Sequence, residues 1–131
     1  MKLENDFFRI ENIISVDGEP REVELNLNTS HWVYDAHFPG NPVTPGVLIL
    51  GIIGETMSRI TGKTLQLTHI KNLKFVEILT PSIGEGLKLM LRQLVQQPSE
   101  EGTPSLVKVR GELVGSIGII TKFSLIYNVI P

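Results

Sequence analysis

The segment His37-Phe38-Pro39-Gly40-Asn41-Pro42-Val43-Thr44-Pro45-Gly46-Val47-Leu48 decides how the rest of the chain is read. It places one imidazole a few residues ahead of a sharply signalled helix start. Pro39, Pro42 and Pro45 stiffen the connection, because each fixes its own φ and restricts the residue before it. Thr44 suits the N-cap, Pro45 the first helical position, and Gly46 follows. A helix beginning there leaves the amides of Gly46 and Val47 without intrahelical partners. If Thr44 caps Val47, the N–H of Gly46 stays free to bind an oxygen, with the helix dipole assisting. A short stretch thus offers a base and an oxyanion donor together.

Downstream, the spacing predicts a helix from about Pro45 to Ile60, closed near Gly62. Val47, Leu48, Ile49, Leu50, Ile52, Ile53, Met57 and Ile60 surround almost its whole circumference, the pattern of a buried helix. The remaining stripe is Gly51, Gly54, Glu55 and Ser58, at three- and four-residue spacing. Upstream, a strand runs over Phe7–Val16, and Asp17-Gly18 signals a hairpin turn. Val23, Leu25 and Leu27 alternate with Glu22, Glu24, Asn26 and Asn28, a half-buried strand. Four more strands are expected at about Leu65–Ile78, Leu87–Val95, Leu106–Val114 and Ile119–Ile130, joined by Thr80-Pro81-Ser82 and by the polar stretch Gln96–Ser105. Two strands, one helix and four long strands indicate an α+β domain over residues 1–131, an antiparallel sheet wrapped around one long central helix. Such a sheet leaves edges, and pairing with a second copy would cover one, so a homodimer is expected.

Composition narrows the function. The 131 residues suit one domain, with 41% hydrophobic and 20% charged residues, as in ordinary soluble proteins. A net charge of −2 argues against nucleic acid as the main partner. The chain has no cysteine, which excludes disulfides, thiolate metal sites and a cysteine nucleophile. Lys2, Glu4, Asp6 and Arg9 interrupt any apolar run at the N-terminus, and no apolar stretch is long enough to span a bilayer, so a cytoplasmic protein without a membrane segment is expected.

The segment from His37 to Leu48 resembles the signature of the hot dog fold 3-hydroxyacyl-acyl carrier protein dehydratases of fatty acid synthesis. The order of elements agrees along most of the chain, and Lys71–Pro81 is similar to that family's strand after the central helix. The resemblance implies a hot dog fold, a dimer or higher homo-oligomer with an acyl tunnel at the dimer interface, and acyl carrier protein as the partner presenting the substrate. The implied reaction is loss of water from a 3-hydroxyacyl thioester to give a trans-2-enoyl thioester, without a cofactor or metal. By the same resemblance His37 is the base that removes the proton next to the carbonyl, and the Gly46 N–H polarises that carbonyl. A general base contributes roughly 10²–10⁴-fold and one oxyanion donor roughly 10²–10³-fold.

The family's third part, a carboxylate on the helix that protonates the departing hydroxyl, falls here on Gly51. A helical glycine costs about 1 kcal/mol relative to alanine, which suggests that something needs the space. Glu55 lies about 6 Å further along the same stripe by helical rise, where the family usually has glutamine. Two readings stand. Either Glu55 reaches back through the room beside Gly51 as a displaced acid, or the acid is lost and the chain is a non-catalytic hot dog subunit, an acyl binder or the heterodimer partner of an active dehydratase. Glu55 also suits a simple pair with Arg59. A thioesterase, chemistry that hot dog folds also host, fits the motif less well.

The other candidates read more simply as structure. His31 and His69 are expected to be structural, and no ligand spacing joins them with His37, Asp35 and Glu55 in a metal site. Asp35 suits a surface turn better than a role in orienting His37. Trp32 and Tyr34 are expected to pack on the core. Arg59, Lys63, Lys71 and Lys74 read as solvated charges, with a docking patch for an acidic carrier protein as the alternative.

Overall fold

The computed structural model describes residues 2–36 and 39–131. Strand β1 (Phe8–Val16) and strand β2 (Glu19–Leu27) form a hairpin, followed by a short helix α1 (Val33–Ala36) and the long helix α2 (Gly46–Thr61). Strands β3 (Thr64–Phe75), β4 (Leu87–Gln97), β5 (Leu106–Gly115) and β6 (Gly118–Ile130) follow. All pair antiparallel in one six-stranded sheet of order β1-β2-β4-β5-β6-β3. This is the expected arrangement of a sheet curved about one main helix.

Local chemistry accounts for the elements. Asp17 and Gly18 both take positive φ, 53° and 80°, as a two-residue hairpin turn of the hand that matches strand twist requires. Alternation then sends Val23, Leu25 and Leu27 on β2, and Leu87, Leu89 and Leu91 on β4, into the core. Register shifts interrupt four of the five strand pairs, and each adds local bend and twist that curls the sheet. Helix α2 ends where Gly62 adopts a left-handed conformation and its N–H donates to the Ser58 carbonyl.

Three expectations change in detail. Strand β3 stops at Phe75 rather than Ile78, because the amides of Val76 and Glu77 both turn onto the single carbonyl of Ile120. Helix α1 is too short for periodicity to reveal. Helix α2 is covered on one side: Ile49, Ile52, Ile53, Thr56 and Met57 are buried, while Val47 is 73% exposed and Leu48, Leu50 and Ile60 are half-buried. A single sheet can cover only the helix face turned towards it.

Candidate active site

The N-terminus of α2 sits in the expected place, with a different cap. The Thr44 hydroxyl is 2.9 Å from the Tyr34 hydroxyl instead of bonding to the helix, and Pro45 is the N-cap residue. Leu48 and Ile49 donate to the Pro45 carbonyl. Among the described residues, the amides of Gly46 and Val47 have no hydrogen-bond partner. Two donors therefore stand at the positive end of the helix dipole, where the sequence suggested one.

Gly46 borders an apolar groove of about 760 Å³, lined from one side by Asn41, Val43, Pro45 and Ile49 and from the other by Phe75, Val76 and Ile78. The two walls are tied together, since the Thr44 amide donates to the Leu79 carbonyl at 2.7 Å. The Phe75 ring lies over Gly46 so closely that a Cβ there would fall 2.8 Å from the ring. Phe75 was not foreseen as a site residue. The glycine was the available signal, and spacing along the chain cannot say which side chain comes to rest on it. Burial pushes the Tyr34 phenol above its ordinary pKa, and the Thr44 hydrogen bond offsets part of that rise.

His37 lies outside the described residues, and so does its expected relation to Asp35, which is exposed on α1.

The middle of α2 is built differently from its start. The room beside Gly51 is filled by Leu3, whose Cδ1 would lie 2.6 Å from an added Cβ. Glu55 turns to the same N-terminal segment. The Leu3 amide donates to both of its oxygens at 2.9 and 2.8 Å, and the Glu4 amide donates to Oε1 at 2.8 Å. Arg59 pairs with the buried Glu4 carboxylate and not with Glu55. The space left by Gly51 is thus real, but the N-terminus occupies it and Glu55 does not reach back through it. Oε1 accepts from both amides, so to carry and donate a proton Glu55 would have to free Oε2 from its contact with the Leu3 amide.

None of the remaining candidates lines the groove. His31 is buried; its Nδ1 accepts from the Val33 amide and its Nε2 lies 3.1 Å from Asp6. His69 is exposed beside Thr68. Tyr34 is buried in the core, whereas Trp32 is 64% exposed. No cluster of three metal-ligating side chains occurs among the described residues. Of the four cations, Arg59 is taken up by Glu4, Lys63 is exposed after α2, Lys74 lies opposite Lys122 on the sheet, and Lys71 shares a surface depression with Lys108 and Arg110. Among the described residues, no helix is long and apolar enough to cross a membrane.

A helix start with free amides near an apolar groove, on a sheet curved about one main helix, is the arrangement of a hot dog protein. The ApeI-like family model, described as ApeI dehydratase, matches residues 14–101. The 3-hydroxyacyl-(acyl-carrier-protein) dehydratase FabZ of Lactiplantibacillus plantarum is 38% identical over 102 residues, covering 72% of this chain and 67% of the relative. The enzyme of the same name from Bartonella henselae is 30% identical over 124 residues, covering 86% and 77%. Among solved structures, the dehydratase heterocomplex ApeI:P from Xenorhabdus doucetiae has a chain that matches with TM-score 0.55 and 19% identity, covering 89% of this chain and 98% of that one. An uncharacterized protein from Erwinia carotovora subsp. atroseptica matches with TM-score 0.56 and 19% identity, covering 92% and 91%. The two structures speak for the fold alone. The chain belongs to the ApeI-like dehydratase family.

Proposed function

We propose that this protein is a hydro-lyase that removes water from a 3-hydroxyacyl thioester carried by acyl carrier protein, leaving a trans-2-enoyl thioester. The observation that carries the reading is the unpartnered Gly46 amide at the helix start, on the wall of an apolar groove large enough for an acyl segment. The thioester carbonyl oxygen accepts from the Gly46 N–H. The His37 imidazole takes the proton from the carbon next to that carbonyl, and the negative charge moves onto the oxygen held by the amide. The C3–O bond then breaks, the double bond forms, and the hydroxyl leaves as water after gaining one proton.

The source of that last proton separates two readings. With position 51 bare and Glu55 holding the N-terminal segment, the proton comes from protonated His37 or from solvent if the chain works alone. The second reading, an acid-less subunit that binds acyl chains or completes its site with a related dehydratase chain, is favoured by Leu3 standing where a side chain at position 51 would be.

Self-association fits both readings. Among the described residues β3 is a sheet edge beside β6, and Phe75, Val76 and Ile78 expose apolar surface along the groove. A homodimer closing the groove into a tunnel follows from this, and light scattering that finds only monomer at assay concentration removes it. A cytoplasmic setting and an acidic carrier protein as donor belong to the same proposal.

The test is to incubate the protein with 3-hydroxyacyl thioesters of several chain lengths and follow enoyl absorbance. Turnover that falls roughly 10²–10⁴-fold in His37→Ala is expected. Full activity in that variant rejects the mechanism. Activity only after mixing with a second dehydratase-like chain selects the acid-less subunit. Free thiol without enoyl product points to thioester hydrolysis instead.

A further inference from the structure

Residues 2–7 are fastened to α2 through both backbone and side chains. Leu3 is 5% exposed, with its side chain against Gly51. Its amide and that of Glu4 are both spent on the Glu55 carboxylate. The Glu4 side chain, itself buried, pairs with Arg59 one turn further along the helix. The Leu3 carbonyl accepts from Asp6 and Phe7 at 3.0 and 2.7 Å, which folds the segment into a turn. Phe7, fully buried, packs edge-on against the His31 ring, and Asp6 bonds to the same ring.

We propose that residues 2–7 form a built-in plug at the helix position where the resembled dehydratases carry their acid, with Leu3 as the stopper and Glu55 as the positioning residue that holds it. Two substitutions on the helix make sense together on this basis. Gly51 removes the side chain that would collide with Leu3. Glu55, in place of the usual glutamine, presents two acceptor oxygens to two backbone donors, whereas a glutamine would turn an NH₂ group towards one of them. With Leu3 in place the space beside position 51 is apolar and occupied, so an acid cannot simply be restored there. The meaning of position 51 for catalysis rests on the proposed dehydration; the plug itself rests on the contacts alone.

The test crosses two sites. Gly51→Glu alone is expected to lower Tm and leave enoyl formation no faster than in the parent protein, because the new side chain meets Leu3. Combining it with Leu3→Ala is expected to recover most of the lost Tm. The pair should also raise enoyl formation at least about tenfold over either single variant, part of the roughly 10²–10⁴-fold that general acid catalysis supplies. Amide hydrogen exchange gives an independent reading: Leu3 and Glu4 are slow in the parent protein, and at least about tenfold faster in Glu55→Ala, where their acceptor is gone. Equal Tm losses in Gly51→Glu with and without Leu3→Ala, or free-chain exchange at Leu3 and Glu4 in the parent, overturn the plug. Recovered Tm and protected amides without any gain in turnover uphold the plug and count against the dehydratase reading of position 51.

Discussion

Gly46 and Gly51 stand five residues apart on one helix, and a neighbouring side chain presses on each. Over Gly46 it is Phe75, 48% exposed on the wall of an open groove; over Gly51 it is Leu3, buried and held by its own backbone. The Gly46 amide has no partner among the described residues, whereas the donors near Gly51 are spent on Glu55. One end of the helix is thus left chemically unsatisfied beside a groove, and beside Gly51 the donors are satisfied and the space is occupied. A free amide at a helix start costs little while water reaches it and becomes useful when a ligand oxygen replaces the water. A space beside a mid-helix glycine has no such use and is filled, because interiors are close-packed.

The same mutation at both glycines breaks the comparison most directly. Gly46→Ala pushes a Cβ into an aromatic ring that has solvent on its other side. Its stability should change by less than about 1 kcal/mol, while thioester turnover falls at least about tenfold as the ring shifts into the groove beside the polarising amide. Gly51→Ala meets a buried Leu3 whose backbone is held by Glu55. Overpacking costs about 1–3 kcal/mol and outweighs the helix-propensity gain of about 1 kcal/mol, so chemical denaturation should show a net loss. If Gly51→Ala stabilises the protein, Leu3 is not wedged there.

The next largest effect is alkaline. Tyr34 lies by the open end of α2 and Tyr127 packs against Gly54 on the closed stripe, and burial raises the pKa of both phenols. Above about pH 10 the unfolded chain gives up its phenolic protons while the folded chain keeps them. The unfolded state then binds fewer protons, so stability falls as pH rises, by about 1.4 kcal/mol per pH unit for each phenol. The fall starts at the ordinary tyrosine pKa and ends only above the raised folded values. Urea titrations between neutral pH and pH 11 should show the decline, and Tyr34→Phe and Tyr127→Phe should each remove a share of its slope.

The smallest effect sharpens the contrast at neutral pH. Among the described residues the Tyr127 hydroxyl is buried without a partner, whereas the Tyr34 hydroxyl bonds to Thr44. Removing an unsatisfied hydroxyl is neutral or stabilising, so Tyr127→Phe should leave Tm unchanged or raise it slightly. Tyr34→Phe should cost about 1 kcal/mol, since it strands the Thr44 hydroxyl. Thermal scans of the two variants give the comparison.

The strands, the hairpin turn, the helix and its closing glycine were legible because each is written in short-range pattern: alternation on β2 and β4, Asp17-Gly18, and the dense apolar run of α2 ended by Gly62. The need for space at Gly51 was legible too, since glycine inside a helix is unfavourable without a reason. What filled the space was not. Leu3 and Glu55 are 52 residues apart, and no periodicity links a chain end to the middle of a helix. The partner of Thr44 was missed for a related reason: a cap is the default for a threonine before a helix, and only packing brought Tyr34 within reach.

The sequence alone determined the order of the six strands and the long helix, the free Gly46 amide at the start of α2 and the resemblance carried by His37 to Leu48, because all of these depend on residues near one another in the chain. The tertiary structure decided which side chains rest on the two glycines, where Glu55 directs its carboxylate and how far one sheet covers the helix. Those outcomes depend on distant segments competing for the same volume, and only the folded packing resolves that competition.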